Sequence, residues 1–311
     1  MRIFRHYTDL PEDARGSVVA IGNFDGIHKG HQVVINEAGS IARATGKPWA
    51  VMSFEPHPDA LFKPDCEPFR LSTMRTKAHM IEQLGVDELL VQHFDFAFAG
   101  LTAQAFVEEV LVKGLGATHV VAGYDFQFGQ KRQGDCETLL RLGRDQGFGF
   151  TAVPKVVDGQ GVVYSSTRVR DDIKAGDPRA AAQVLGRAFE VEGRVEHGDQ
   201  RGRQLGFPTA NLHLGDFLRP ALGVYAIRAG LDEGSETRWV DGVCNIGKRP
   251  TFDKGDDVVL EAHLFDFDAD LYGKHLRVKL IERLRAERKF DGLDAIKTQI
   301  AIDCEKAKEI L

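Results

Sequence analysis

The chain has 311 residues, 43% hydrophobic and 28% charged, enough for about two domains of roughly 100–200 residues. This balance excludes a chain that is mainly disordered. With 40 basic against 46 acidic side chains the net charge is −6, so nucleic acid is not an expected partner. No apolar run reaches the roughly 18 residues of a spanning helix, and Met1–His6 is not followed by a secretory apolar stretch. No membrane partner is expected, and the expected location is the cytoplasm. Cys66, Cys136, Cys244 and Cys304 are scattered, which suits reduced thiols and neither a disulfide framework nor a zinc site.

In the first half, strands alternate with helices. Ser17–Gly22 reads as a buried strand, His28–Ala44 as a helix and Trp49–Phe54 as a strand. A helix runs from about Ser72 to Leu84, then a strand over Glu88–Val91 and a helix over Thr102–Lys113. Strand His119–Ala122, helix Cys136–Gln146 and strand Phe150–Val156 follow. The pattern predicts a parallel, Rossmann-like α/β sheet covered on both faces, with ligands beyond the carboxyl ends of its strands. Asp177-Pro178 opens one more helix, and a boundary falls near Ala181–Arg187. Beyond it come short alternating segments, Phe189–Val195, Gly223–Ala229, Trp239–Val243, Val258–Leu264 and Leu276–Leu284. These predict an antiparallel β-barrel, with a terminal helix at Leu293–Ile310. The expected domains are 1–184 and 185–311.

The first strand runs into Gly22-Asn23-Phe24-Asp25-Gly26-Ile27-His28-Lys29-Gly30-His31. Gly22 and Gly26 allow a sharp turn and close approach to a ligand, and Gly30 leaves room for a nucleotide. A helix start favours phosphate. His28 and His31 are three apart and share a face of the first turn, where two imidazoles can stabilise charge on a phosphate in transfer. No side-chain nucleophile is needed if the acceptor is itself a phosphate. On spacing alone, surface histidines and a shared metal ion stay open readings.

The second half carries a glycine-rich basic stretch, Gly193 to Leu212. Arg201 and Arg203 on such a loop could close over phosphates. Thr209 and Asn211 alternate and so face one side of an extended chain, with oxygens suited to Mg²⁺. A plain hairpin with solvated arginines is equally compatible with that spacing. Gly242–Lys248 matches the first seven positions of a P-loop, but Arg249 and Pro250 follow and the run reads as a strand. Asp266, Asp268 and Asp270 lack the Gly and Glu of a calcium loop.

The Gly22–His31 run resembles the signature of the FAD synthetase domain of the nucleotidylyltransferase superfamily. Phe54-Glu55-Pro56-His57-Pro58, Gly123–Gly129 with Asp125, and Ser165-Ser166-Thr167-Arg168-Val169-Arg170 resemble further motifs of that family, in order. The resemblance implies that Gly22, Asn23, Phe24, Asp25, Gly26, His57, Asp125, Ser165, Ser166, Thr167 and Arg168 contact ATP or FMN. It implies catalytic roles for His28, His31 and Arg170, the arginine neutralising the leaving pyrophosphate.

Gly198–Asn211, Pro220 with Gly223–Ala226, Asn245–Phe252, Glu261–Leu264, Asp270–Gly273 and Phe290-Asp291 resemble the riboflavin kinase domain. That likeness implies Glu261 as general base for the ribityl hydroxyl. It implies Gly202, Arg203, Gly206, Pro208, Asn245 and Arg249 as ATP or riboflavin contacts, and Thr209 and Asn211 as Mg²⁺ ligands. Together the two likenesses imply a bacterial-type bifunctional riboflavin kinase/FAD synthetase, acting on riboflavin, FMN and ATP. A monomer is the default. The histidine chemistry alone would also suit pantetheine phosphate or nicotinamide mononucleotide as acceptor, and the attached kinase domain is what points to FMN. A flavin-binding module without catalysis is a third reading.

Overall fold

The structure, a computed structural model, describes residues 1–8, 10–197, 206–233, 236–250 and 256–311, apart from the side chains of Glu233, Arg249, Pro250, Asp256 and Asp257. The chain forms two compact units. One holds Met1–Cys66 and Met74–Ser165, the other Glu67–Thr73 and Ser166–Leu311.

The first unit is built on β1 (Arg2–Phe4), β2 (Val18–Ile21), β3 (Trp49–Glu55), β4 (Glu88–His93), β5 (His119–Gly123) and β6 (Gly149–Val153). They form one sheet in the order β1-β4-β3-β2-β5-β6, and every pairing is parallel. All four residues of β2 are buried, as a strand covered on both faces requires. Val18 and Ala20 join a core with Ile35, Ala38 and Leu89, while Val19 and Ile21 join another with Met52, Val107 and Leu111. Helices α1 (Lys29–Thr45), α2 (Pro58–Phe62), α3 (Met74–Gln83), α4 (Phe96–Ala99), α5 (Ala103–Ala105) and α6 (Cys136–Gln146) connect the strands, and α5 passes into a π-helical stretch at Phe106–Gly114. The chain steps from β2 to β3 and β4 on one side and later returns to β5 on the other. The order therefore reverses at β2, where such sheets bind ligands.

In the second unit α7 (Ser166–Ala175) and α8 (Pro178–Leu185) precede β7 (Phe189–Arg194), β8 (Ala210–His213), β9 (Gly223–Glu233), β10 (Glu236–Pro250), β11 (Asp256–Leu264) and β12 (His275–Ala286). Asp177 caps α8 by accepting the Ala180 N–H at 2.9 Å. The strands form an antiparallel sheet in the order β7-β12-β9-β10-β11-β8. It curls into the expected barrel, its edges joined where the Glu196 N–H donates to Asn211 O at 2.9 Å. The terminal helix, Leu293–Ile310, packs Cys304 and Ala307 on Val224, Ala226 and Val243. Arg285 grips Asp303 through Nε and a second guanidinium nitrogen at 3.0 and 2.8 Å.

The strap Glu67–Thr73 lies in this unit. Arg70 bridges Phe217, and the Leu218 N–H donates to Arg70 O at 2.8 Å. The Ala221 N–H reaches Ile173 O at 3.2 Å, and Tyr225 OH donates to Ala221 O. Burial pushes that phenol up to about 12.

Several boundaries differ from the sequence pattern. β9 and β10 run well past Gly223–Ala229 and Trp239–Val243. Beyond those bounds the strands pair polar residues, such as Asp232 with Thr237, which apolar alternation does not register. β6 ends at Val153, not Val156. Edge strand β1 is three residues long and largely exposed. The P-loop look-alike Gly242–Lys248 lies inside β10.

Candidate active sites

Three sequence motifs leave the first sheet side by side. β3, β2 and β5 are neighbours, so Glu55–Pro58, Gly22–His31 and Gly123–Gly129 all start from adjacent carboxyl ends. The turn after β2 is strained, with positive φ at Phe24 (48°), Gly26 (78°) and Ile27 (42°). For Phe and Ile this costs about 1–3 kcal/mol each. Burial holds the turn, with Phe24 2% and Ile27 1% exposed, and Gln32 Nε2 donates to Ile27 O at 3.0 Å. Asp25 and His28 are buried, while Asn23 is exposed.

His28 is the N-cap of α1. Its Nδ1 accepts the His31 N–H at 3.3 Å, so the neutral ring carries its proton on Nε2. The two imidazoles stack at 3.6 Å between centroids and 23° between planes, and the Phe24 ring meets His31 edge-on at 5.3 Å. His57 repeats the device at the head of α2, its Nδ1 accepting the Asp59 N–H at 3.2 Å.

Gly30 differs from its expected use. A Cβ there would lie 3.0 Å from His28 Cε1 and 3.4 Å from Tyr164 O, so the missing side chain makes room for the His28 ring. Gly30→Ala is expected to displace that ring and lower FAD formation about 10-fold or more, read by a steady-state assay with FMN and ATP. An unchanged rate would show that the ring tolerates the shift.

Tyr164 O beside Gly30, and the Lys29 ammonium 5.5 Å from the Tyr164 ring, bring the start of the Ser165 motif to the head of α1. Asp125 is exposed in the loop after β5. Cys136 Sγ–H donates to Gly123 O at 3.4 Å at the base of that loop, and burial raises its thiol above the ordinary range.

In the second unit, Ser166, Thr167, Arg168 and Arg170 form the first turns of α7. Arg170 Nε donates to Phe69 O at 2.9 Å and its guanidinium lies 5.6 Å from the Phe69 ring centre. Burial raises the Asp172 carboxyl against the pull of Arg168.

The other site is set by sheet register. Asn211 on β8 pairs with Glu261 on β11, and Glu261 pairs with Asn245 on β10. The three positions form a row across neighbouring strands and share one face. Asn211 is buried, and Glu261 and Asn245 are half-buried. A Cβ on Gly247 would sit 2.5 Å from Glu287 Oε1 and 3.0 Å from Asn245 Nδ2, so a side chain here would push the carboxylate end of Glu287 aside. His263 Nδ1 lies 2.9 Å from Pro208 O and ties down the turn before β8. A cleft of ≈ 460 Å³ beside β8 is lined by Pro208, Thr209, Asn211, Ala262, Leu271 and Tyr272 among others, a size suited to a nucleotide-scale ligand; Asn211 belongs to both the cleft and the row, while Glu261 and Asn245 are not among the residues that line the cleft. Gly206, with φ 86°, precedes it. Gly202 and Arg203 lie outside the described residues, as does the Arg249 side chain.

Two features escape the sequence reading. Lys77, on α3, is fully buried and donates to Asn23 O at 2.7 Å and Ser53 Oγ at 3.0 Å. Its signal is positional, since it shares the buried face of α3 with Met80 and Ile81. A run of aromatic rings also adjoins α2. Phe62 (58% exposed) and Phe96 (69% exposed) pack edge-on to one another, and Phe62 meets Phe94 at 6.1 Å.

A histidine pair heading the first helix of a parallel sheet places the first unit in the nucleotidylyltransferase class, and the curled antiparallel sheet of the second follows the riboflavin kinase barrel. Residues 10–168 match the family model for FAD synthetase, and residues 185–311 that for riboflavin kinase. The chain belongs to the bifunctional riboflavin kinase/FMN adenylyltransferase family. Among similar proteins of that description, one from Escherichia coli K12 is 41% identical over 99% of this chain and 97% of its own. Another, from Bacillus subtilis, is 38% identical over 96% and 93%. A solved structure from Streptococcus pneumoniae, described as a macrolide-efflux protein, is 33% identical, with a TM-score of 0.85 over 99% of this chain and 98% of that one. Efflux is said of that protein; among the described residues here, no helix is long and apolar enough to cross a membrane. The chain is an enzyme with an FAD synthetase domain at its N-terminus and a riboflavin kinase domain at its C-terminus.

Proposed function

We propose that the two sites act in sequence on one flavin, with the catalytic domains dividing at residues 184 and 185. In the C-terminal domain Glu261 accepts the proton of the ribityl 5′-hydroxyl while its oxygen attacks the γ-phosphorus of ATP, giving FMN and ADP. Asn211, cross-strand from Glu261, and Thr209, which lines the same cleft as Asn211, present hard oxygen donors, a set that fits Mg²⁺, which when bound would offset charge on the ATP phosphates. Asn245 steadies the carboxylate from the next strand, and Gly202, Arg203, Gly206, Pro208 and Arg249 serve the ATP and riboflavin contacts.

In the N-terminal domain an oxygen of the FMN phosphate attacks the α-phosphorus of ATP. The bond to the β-phosphate oxygen breaks, and pyrophosphate leaves. His28 and His31 stabilise charge on the transferring phosphate, His28 through its Nε2–H. Gly22–Gly26, His57 and Asp125 approach the nucleotide with Ser165, Ser166, Thr167 and Arg168, and Arg170 offsets charge on the pyrophosphate. The exposed Phe62 and Phe96 rings offer flat apolar surface for the isoalloxazine. The enzyme works in the cytoplasm as a monomer.

The observation that carries this reading is the stacked imidazole pair at the head of α1, where the sheet order reverses. Chromatography of riboflavin, ATP and magnesium after incubation with the chain tests it. FMN is expected first, then FAD, with ADP and pyrophosphate in matching amounts. Accumulation of FMN without FAD, from active protein with ATP in excess, would remove the adenylylation half. Release of phosphate without either flavin product would remove both.

A further inference from the structure

Two elements, α3 and β3, converge on one carbonyl in the turn after β2. Lys77 Nζ on α3 reaches Asn23 O at 2.7 Å, and Ser53 Oγ on β3 donates to the same oxygen at 3.1 Å. Lys77 Nζ also donates to Ser53 Oγ at 3.0 Å, closing a three-membered set. Lys77 is 1% exposed. The buried face of α3, with Met80 and Ile81, calls for an apolar side chain at this position, and burying an ammonium is costly unless its donors are used.

The effect of the contact follows from peptide geometry. In a trans peptide the C=O and the next N–H point opposite ways. Drawing Asn23 O onto the ammonium turns the Phe24 N–H to the other side of the turn. Phe24 then takes a φ of 48°, which persists only where the surroundings over-determine it. At the far end Gln32 Nε2 holds Ile27 O at 3.0 Å. The turn that ends at His28 is clamped at both ends, and the clamp at its entry is a cation.

We propose that Lys77 is a positioning residue for adenylyl transfer, setting through Asn23 the turn that aims His28 and the backbone N–H groups at the ATP phosphates. It acts through the turn and touches no substrate. The inference rests on the Gly22–His31 turn being the nucleotide site.

The test uses the whole chain, measuring FAD formation from supplied FMN and ATP, with riboflavin phosphorylation followed on the same sample. Lys77→Met keeps the length of the side chain and removes its donors; Ser53→Ala removes the bridging hydroxyl and leaves the lysine. Lys77→Met is expected to lower kcat for FAD formation about 10- to 100-fold, and Ser53→Ala about 3- to 10-fold, with the KM for FMN within about twofold and riboflavin phosphorylation unchanged. Combined with His28→Ala, Lys77→Met should add no further loss, because both act on one turn; losses that multiply would overturn the proposal. If His28→Ala alone leaves FAD formation intact, the site reading fails. If His28→Ala stops it while both Lys77→Met and Ser53→Ala run at the wild-type rate, only the role of Lys77 fails. Should Lys77→Met not fold, Ser53→Ala decides, and a wild-type rate from it overturns the proposal.

Discussion

Replacing His28 and His31 together with alanine is expected to lower FAD formation about 10³-fold or more while riboflavin is still phosphorylated at close to the wild-type rate. The rings stack on one another, so they address one region and their losses should not be independent. His28 also caps α1, and loss of a cap costs about 0.5–2 kcal/mol. His31→Ala leaves that cap in place and separates the chemistry from the stability of the helix. The measurement is product analysis with FMN supplied in one reaction and riboflavin in another. Equal loss of both activities would contradict two independent sites.

Glu261→Ala should give the mirror image. Removing a general base lowers riboflavin phosphorylation by about 10²–10⁴-fold, and adenylylation of supplied FMN continues. The carboxylate lies between Asn211 and Asn245 on the neighbouring strands, so the deletion leaves two amides facing a gap on a sheet that otherwise keeps its ladder. Thermal unfolding should therefore shift little. A variant that still phosphorylates riboflavin at the normal rate would assign the base elsewhere.

Much of this layout is legible in the chain because the first half is governed by periodicity. β2 is apolar throughout and β3 is apolar from Trp49 to Met52, as a strand buried on both faces favours. Helix ends are legible where a side chain caps them, as with Asp135 at α6 and Asp177 at α8. The row of Asn211, Glu261 and Asn245 is not legible from spacing, because cross-strand register is a property of the folded sheet; the family likeness supplied those residues one by one. Lys77 escapes for the opposite reason. A lysine in a helix reads as a surface residue, and only the packing of α3 shows that it faces inward. Gly30 is legible as a place where space is needed, but the sequence does not say that a histidine ring fills it.

The strap Glu67–Thr73 and helices α7 and α8 have a practical consequence for anyone dividing the gene. The polypeptide passes between the units after Cys66, after Thr73 and after Ser165, so no single scissile point yields two whole bodies. A break between 184 and 185 would strand Val184 and Leu185, both fully covered in the intact chain, on separate products. It would also part the Arg179–Glu282 ion pair and the Ala221–Ile173 link. Each fragment would carry newly bared apolar surface and a tendency to stick. The activities are modular in chemistry, yet the folding units that house them are interleaved.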